Sequence, residues 1–83
     1  MIYFIQSGGY LGPIKIGLSS NPVQRVHDLQ VGNPEELTLL AVMVGEESEE
    51  ARLHARFSKH HIRGEWFKPS DSIWSLIDRL NAG

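Results

Sequence analysis

The sequence of 83 residues contains no cysteine. Disulfide bonds and thiolate-ligated zinc are therefore excluded, and a reducing compartment, the cytoplasm, is the expected location. No apolar run approaches the roughly 20 residues that a membrane-spanning helix needs. Because the first predicted strand starts almost at Met1, we also expect no cleaved signal peptide. The sequence thus indicates a protein without a membrane partner.

An excess of positive charge is also absent, since eight Lys and Arg residues face ten Asp and Glu residues and the net charge is −2. Proteins that coat nucleic acid without selectivity depend on clustered cations that neutralise phosphates, and this balance argues against that class. Four of the ten acids fall within residues 46–50. The rest of the surface is close to neutral, which leaves room for a local basic face that includes Lys15, Arg25, Arg52 or Arg63.

The hydrophobic pattern predicts one domain over residues 1–83, with the element order ββαβαα. Three strands are predicted over residues 2–6, 14–18 and 37–44, the last of them buried on both faces. Three helices are predicted, the first capped by Asn21, the second over residues 46–60 and the third capped by Ser70. The order predicts an α+β fold, a small three-stranded antiparallel sheet flanked by helices.

The first two strands are predicted to form a hairpin. In residues 14–18, three apolar side chains alternate with Lys15 and Gly17. If the hairpin is symmetric about Gly9, Tyr3 lies opposite Lys15, with about 5 Å between the Cβ atoms. A slip of one residue would separate the two side chains.

The second helix departs from an ordinary amphipathic pattern. Glu50 and His54, four residues apart, share the side of the helix that carries Leu53 and Phe57. A carboxylate and an imidazole thus lie within or beside the stripe that faces the core. Such departures are often functional sites.

Five sequence features together resemble one enzyme superfamily. They are Met1-Ile2-Tyr3, Lys15-Ile16-Gly17, Arg25, Glu50-x-x-Leu53-His54-x-x-Phe57 and Gly64-Glu65-Trp66-Phe67. The set is similar to the GIY-YIG nuclease superfamily, and is closest to a small phage branch, described as a DNA-binding domain, that favours Lys-Ile-Gly over Tyr-Ile-Gly. The resemblance runs from Tyr3 to about Phe67 and implies the GIY-YIG fold.

The resemblance implies that Tyr3, Lys15, Arg25 and Glu50 meet around one phosphodiester. Glu50 would hold one divalent ion, Mg²⁺ or Mn²⁺, and Arg25 would grip the scissile phosphate. Tyr3 would act as general base or orient the attacking water, with the Lys15 ammonium favouring its phenolate form. His54 would orient the Glu50 carboxylate, touch a metal-bound water or carry a proton.

Each of these residues also has a purely structural interpretation. Glu50 is then a solvated helix acid, and Arg25 is an exposed helix residue that pairs with Asp28 or another acid. Tyr3 is a core aromatic, Lys15 is an edge-strand charge, and His54 is a partly buried core residue. The superfamily's nucleases carry a late Asn that supports the site, and this chain has no secure counterpart. Asn81 lies beyond the matching region, and Glu65 is a conceivable substitute.

We therefore expect divalent-metal-dependent phosphodiester hydrolysis by a minimal GIY-YIG-type endonuclease domain, with DNA favoured over RNA as substrate. The alternatives are a catalytically inactive nucleic-acid-binding module of the same fold and a protein-interaction domain. A bacterial or phage origin follows from the resemblance alone. A homodimer or a partner subunit is left open as a source of further substrate contacts.

Overall fold

The segments richest in β-branched and aromatic residues form the centre of the sheet in the computed structural model, which describes residues 1–83. They are β1 (Ile2–Ser7) and β2 (Ile14–Leu18), which pair as an antiparallel hairpin. The next elements are α1 (Pro22–Gln30), β3 (Leu37–Met43) and α2 (Glu47–Arg56). A 3₁₀ turn (Ser58–His60), β4 (His61–Arg63), β5 (Trp66–Phe67) and α3 (Asp71–Ala82) complete the chain.

All strand neighbours are antiparallel, in the order β3-β1-β2-β5-β4. The α+β class is therefore confirmed, and two short strands, β4 and β5, extend the sheet beyond the three that the sequence predicts. The third strand is covered on both faces as predicted, by α1 on one and α3 on the other, although most of its residues are only partly buried. β3 is an edge strand, in which only Leu37 and Ala41 are buried and Thr38 is exposed. None of the helices combines the length and apolarity needed to cross a bilayer.

The hairpin register differs from the symmetric prediction. Tyr3 pairs with Gly17, and Lys15 pairs with Ile5. The centre of symmetry therefore lies at position 10, one residue later than expected, and each pairing shifts by two residues. Because side chains alternate with a period of two, this shift leaves Tyr3 and Lys15 on the same face of the sheet.

The loop between β1 and β2 is fixed by a buried glutamine. Gln6 is 4% exposed, and its side-chain amide donates to the backbone carbonyls of Tyr10 (2.7 Å) and Gly12 (3.0 Å). The Ser7 N–H also donates to the Pro13 carbonyl across the loop. These bonds satisfy polar groups inside the loop and set the register that sequence symmetry alone did not give.

The sheet separates two apolar clusters. Phe4 and Ile16 point to the face covered by α2 and α3, where they meet Leu53, Phe57 and Ile73. The opposite face is covered by α1, and there Tyr3, Ile5 and Leu37 form a smaller cluster with partly buried side chains around it. The Tyr3 side chain therefore points to one face of the sheet, while Glu50 lies on a helix that covers the other face. The two side chains can meet only at an edge of the sheet.

Local signals define the helix ends. The Asn21 side chain accepts from the Gln24 N–H (3.2 Å), and the Ser70 hydroxyl accepts from the Ile73 N–H (3.3 Å), as predicted. At the start of α2, Glu46 and Glu49 form a reciprocal capping box. The helix ends at Arg56, so the predicted helix over residues 46–60 continues only as the 3₁₀ turn.

We predict that Asn21→Ala lowers the free energy of unfolding by about 1 kcal/mol, because the Gln24 N–H loses its cap. Urea denaturation followed by circular dichroism measures the change. Ser20→Ala, at an exposed neighbour whose side chain makes no hydrogen bond, is the control. Equal stability of both variants would contradict the assigned helix start.

Candidate functional site

The backbone of Ile16 in β2 joins two distant parts of the chain. Its N–H donates to the Glu65 carbonyl, and its carbonyl lies 2.9 Å from Nε2 of His54. The β2–β5 pairing covers only Ile14 with Phe67 and Lys15 with Trp66. The rest of β2 is therefore available to α2, and the side chains of α2 meet the β4–β5 turn at this point.

Glu50, His54 and Glu65 converge beside Ile16. Glu50 and His54 are one turn apart on α2, and Glu65 lies in the turn that joins β4 to β5. One potential ligand atom from each of the three lies within 4.8 Å of the others, and all three residues are half-buried. We call these three residues the carboxylate–imidazole group.

The imidazole of His54 has a fixed orientation. A backbone carbonyl only accepts, so Nε2 must carry the proton that the Ile16 carbonyl receives. The ring also stands edge-on to Phe67, with 5.1 Å between the centroids. In the neutral ring, Nδ1 is then the nitrogen with a free lone pair.

Glu50 carries an oxygen that nothing in the protein satisfies. Its Oε2 is buried and has no hydrogen-bond partner. Burial, and next the negative charge of Glu65, raise the pKa of the Glu50 carboxyl above its ordinary value. A carboxylate held beside a second carboxylate is destabilised in the absence of a proton or a cation between them.

The hydroxyl of Tyr3 reaches the same edge from the α1 face. Tyr3 is 1% exposed, and its ring packs with Ile5 and Leu37. A Cβ at Gly17 would overlap the Tyr3 hydroxyl and would lie 2.9 Å from Oε1 of Glu65. The absence of a side chain at Gly17 thus lets the phenol approach the backbone, next to the carboxylate of Glu65.

Lys15 is paired with Glu65 and does not lie opposite Tyr3 as the symmetric hairpin predicts. Its Nζ lies 3.1 Å from Oε1 of Glu65 and 5.5 Å from the centroid of the Trp66 ring. Lys15 sits opposite Trp66 on one side and Ile5 on the other. Its ammonium therefore neutralises one of the two carboxylates directly, and Lys15 is a diagonal rather than a direct cross-strand neighbour of Tyr3.

Arg25 is not part of this group of contacts. It is exposed on α1, and its guanidinium makes no ion pair or hydrogen bond, including with Asp28. Asp28 instead accepts from the Gln24 amide. The structure thus brings Tyr3, Lys15, Glu50 and His54 to one edge of the sheet and leaves Arg25 as an unpaired surface cation.

Two late residues have clear positions. The Asn81 amide donates to the Leu40 carbonyl (2.9 Å), so it fastens α3 to the edge strand and takes no part in the site. Glu65, which the sequence offers only as a conceivable substitute, contacts Lys15 and adjoins Glu50 and His54. The family-like segment Gly64-Glu65-Trp66-Phe67 is the sequence signal that points to Glu65 as a site residue. The β4–β5 turn is too short to have a hydrophobic periodicity from which the position of Glu65 could be predicted.

The fold and the site define a small α+β domain with a carboxylate–imidazole group at a sheet edge. The model of the T5orf172 domain matches residues 1–80, and the chain belongs to this domain family. The T5orf172 domain is phage-associated and is often linked to nuclease-like folds. Neither a curated protein nor a solved structure matches the chain.

We predict that Gly17→Ala destabilises the fold by about 1–3 kcal/mol, the usual range for overpacking, because the new methyl meets the Tyr3 hydroxyl. Adding Tyr3→Phe removes the hydroxyl but keeps the ring carbon that the new methyl also overlaps, so it should recover little of the loss. Gly9→Ala is the matched control, since a Cβ there meets nothing within 4 Å. Thermal denaturation of the four proteins tests the close approach, and a harmless Gly17→Ala would contradict it.

We predict that Glu50→Gln stabilises the metal-free protein at pH 8 by about 1 kcal/mol, the scale of an unsatisfied buried polar group. The folded-state pKa of Glu50 is raised above 4.5, so the folded protein binds the proton more tightly than the unfolded chain. Wild-type stability therefore falls as pH rises through the window between 4.5 and the raised value. The advantage of the variant should accordingly vanish near pH 4.

Urea denaturation in EDTA at pH 4, 6 and 8 measures this dependence. Glu36→Gln removes one exposed carboxylate outside the site and is the control for net charge. A stability difference that is constant with pH, or that grows toward acid, would show that Glu50 is not destabilised as a carboxylate.

Proposed function

We propose that this domain is a divalent-metal-dependent endonuclease of the GIY-YIG type, hydrolysing phosphodiester bonds in DNA. The observation that carries the proposal is the meeting of the carboxylate–imidazole group with Lys15 and the Tyr3 hydroxyl. Membership of the T5orf172 family supports a nuclease-like or DNA-binding role.

The donor set fits a divalent cation. Glu50 offers a buried oxygen without a partner, and the adjacent Glu65 adds negative charge that Lys15 alone does not balance. Carboxylate oxygens are the usual protein ligands of Mg²⁺ and Mn²⁺. Glu50 would hold the ion, which when bound would stabilise negative charge on the phosphate and leaving oxygens.

Tyr3 would act as the general base for the attacking water, and the Glu65 carboxylate at the sheet edge would accept the proton of the phenol. The phenol hydroxyl lies next to the Glu65 carboxylate across Gly17. As water attacks phosphorus and the P–O bond to the leaving group breaks, Tyr3 would take a proton from the water. It would pass its own proton to Glu65, and the leaving oxygen would take a proton from solvent, so the phenol is neutral at the end of the step.

Lys15 and Arg25 would stabilise negative charge, Lys15 on Glu65 and on phosphate and Arg25 on a phosphate of the substrate. Lys15 holds the Glu65 carboxylate in place through its ion pair and can contact a phosphate as a point charge. Arg25 is exposed and unpaired, so its planar fork is free to bind a phosphate of the substrate backbone through two hydrogen bonds. DNA in the cytoplasm is the proposed substrate, and a second subunit would extend the contacts of so small a domain.

A DNA-binding module without catalysis is the second candidate, and two observations favour it. Tyr3 is 1% exposed, so its hydroxyl has little direct access to a substrate on the surface. Asn81 is occupied with the Leu40 carbonyl and supports no site residue. In this alternative, Lys15 and Arg25 would bind phosphates, and the carboxylates would have no catalytic role.

We predict that the wild-type protein nicks supercoiled plasmid DNA with Mn²⁺ or Mg²⁺, and that Glu50→Gln lowers the rate at least about 100-fold by removing the metal ligand. Gel electrophoresis of plasmid, linear and single-stranded DNA measures cleavage. Circular dichroism confirms that the variant is folded.

The control variant is Glu36→Gln, which should cleave like wild type. Gel-shift titrations at several salt concentrations, with EDTA present, measure binding separately from turnover. Binding without cleavage in any metal would select the non-catalytic module. Cleavage that persists in Glu50→Gln would assign the activity to another site or to a contaminant.

A further inference from the structure

We propose that the ion is held by three side chains, Glu50, Glu65 and Nδ1 of His54, and that this site selects Mn²⁺ over Mg²⁺. The inference rests on the proposed function, which requires only that Glu50 binds a metal. It adds two ligands and a metal preference that follow from the donor set.

The spacing of the three donors suits one ion. Oxygen ligands of an octahedral ion lie at about 2.1 Å from the metal, so opposite ligands are roughly 4.2 Å apart. One carboxylate oxygen from each glutamate and one ring nitrogen of His54 lie within 4.8 Å of one another. Small side-chain adjustments on α2 and in the β4–β5 turn would therefore close the group around a cation.

His54 already has the arrangement of a metal-binding histidine. Such residues almost always donate the N–H of their other ring nitrogen to a carboxylate, a backbone carbonyl or water, which fixes the tautomer. Nε2 of His54 donates to the Ile16 carbonyl at 2.9 Å, and the Phe67 ring holds the imidazole edge-on. Nδ1 is thereby left as a lone-pair donor one helical turn from Glu50.

The local charge is not balanced within the protein. Lys15 neutralises Glu65 at 3.1 Å, but no cation pairs with Glu50, whose Oε2 is buried and without a partner. A dication between the two carboxylates would satisfy that oxygen and replace their repulsion by attraction. The Lys15–Glu65 ion pair competes with the metal for Glu65, so Lys15 should weaken the binding of the ion.

The imidazole decides the selectivity. Mg²⁺ takes oxygen ligands, keeps most of its waters and dehydrates reluctantly. Imidazole is a ligand of first-row transition-metal dications, among which Mn²⁺ binds mixed nitrogen and oxygen sites least tightly but still accepts both donor types. A site with one nitrogen and two carboxylate donors should therefore bind Mn²⁺ more tightly than Mg²⁺. If Glu50 were the sole ligand, the two ions would bind with similar weak affinity.

The test is direct metal binding to the folded full chain, without DNA. Isothermal titration calorimetry and loss of the free Mn²⁺ EPR signal measure affinity and stoichiometry, and pulsed EPR detects a ¹⁴N coupling from a ligating imidazole. We expect one Mn²⁺ per chain, bound at least about tenfold more tightly than Mg²⁺, because Mn²⁺ gains more from the imidazole nitrogen than Mg²⁺ does.

Four variants separate the contributions. Glu65→Gln and His54→Gln should each weaken Mn²⁺ at least about tenfold, and His54→Gln should abolish the ¹⁴N coupling and the preference over Mg²⁺. Lys15→Gln removes the same ion pair as Glu65→Gln but keeps the carboxylate, so Mn²⁺ should bind as tightly or more tightly. Glu36→Gln, an exposed acid outside the site, should bind like wild type.

The outcomes distinguish this inference from the proposed function. Metal binding that requires Glu50 but is unchanged in Glu65→Gln and His54→Gln would overturn the three-ligand site and leave the proposed function intact. Weakened binding in both Glu65→Gln and Lys15→Gln would assign the effect to the lost ion pair, again overturning the inference. No binding of either ion by wild type would overturn the three-ligand site, and the plasmid-cleavage assay would then decide the proposed function separately.

Discussion

The peptide groups of Ile16 hold the site together. The Ile16 N–H donates to the Glu65 carbonyl, and the Ile16 carbonyl accepts from Nε2 of His54. A single residue of β2 therefore anchors both the β4–β5 turn and α2. Both bonds form where β5 ends and leaves the edge of β2 without a strand neighbour. Buried backbone groups must be hydrogen-bonded. Because the short strand β5 does not pair with Ile16, the Ile16 carbonyl accepts its hydrogen bond from the His54 side chain of α2 instead.

The second constraint is the close approach of Tyr3 to Gly17. Tyr3 belongs to the α1 face and Glu50 to an element on the other face, and a side chain at position 17 would block the phenol hydroxyl. With glycine there, the hydroxyl comes next to Glu65. The Glu65 carboxylate at the sheet edge thus lies close to side chains from both faces of the sheet. The same carboxylate forms the ion pair with Lys15.

The site destabilises the folded protein through one side chain, that of Glu50. Glu50 keeps a buried oxygen without a partner, and burial together with Glu65 raises its pKa. Elsewhere the polar groups are well matched, as the Gln6 amide and the two helix caps show. A mismatch limited to one carboxylate beside an imidazole is typical of a functional centre rather than of loose packing.

Periodicity in the sequence was sufficient for the helix starts at Asn21 and Ser70, the first two strands, the α+β class and the shared helix side of Glu50 and His54. These features depend on residues close in the chain, where alternation, helical spacing and capping act directly. The resemblance added Tyr3, Lys15 and Arg25 as candidates, and their catalytic roles stay predictions.

Tertiary structure decided the rest. The hairpin register depends on how Gln6 bonds to its loop, the edge position of β3 depends on the strand order, and the place of Glu65 depends on pairing between β2 and a two-residue strand. Such contacts join residues far apart in sequence, and their energies depend on burial and geometry that no local pattern encodes. The chain alone therefore specified the elements and several of the reactive side chains, while packing decided that Lys15 meets Glu65 and that Arg25 remains free.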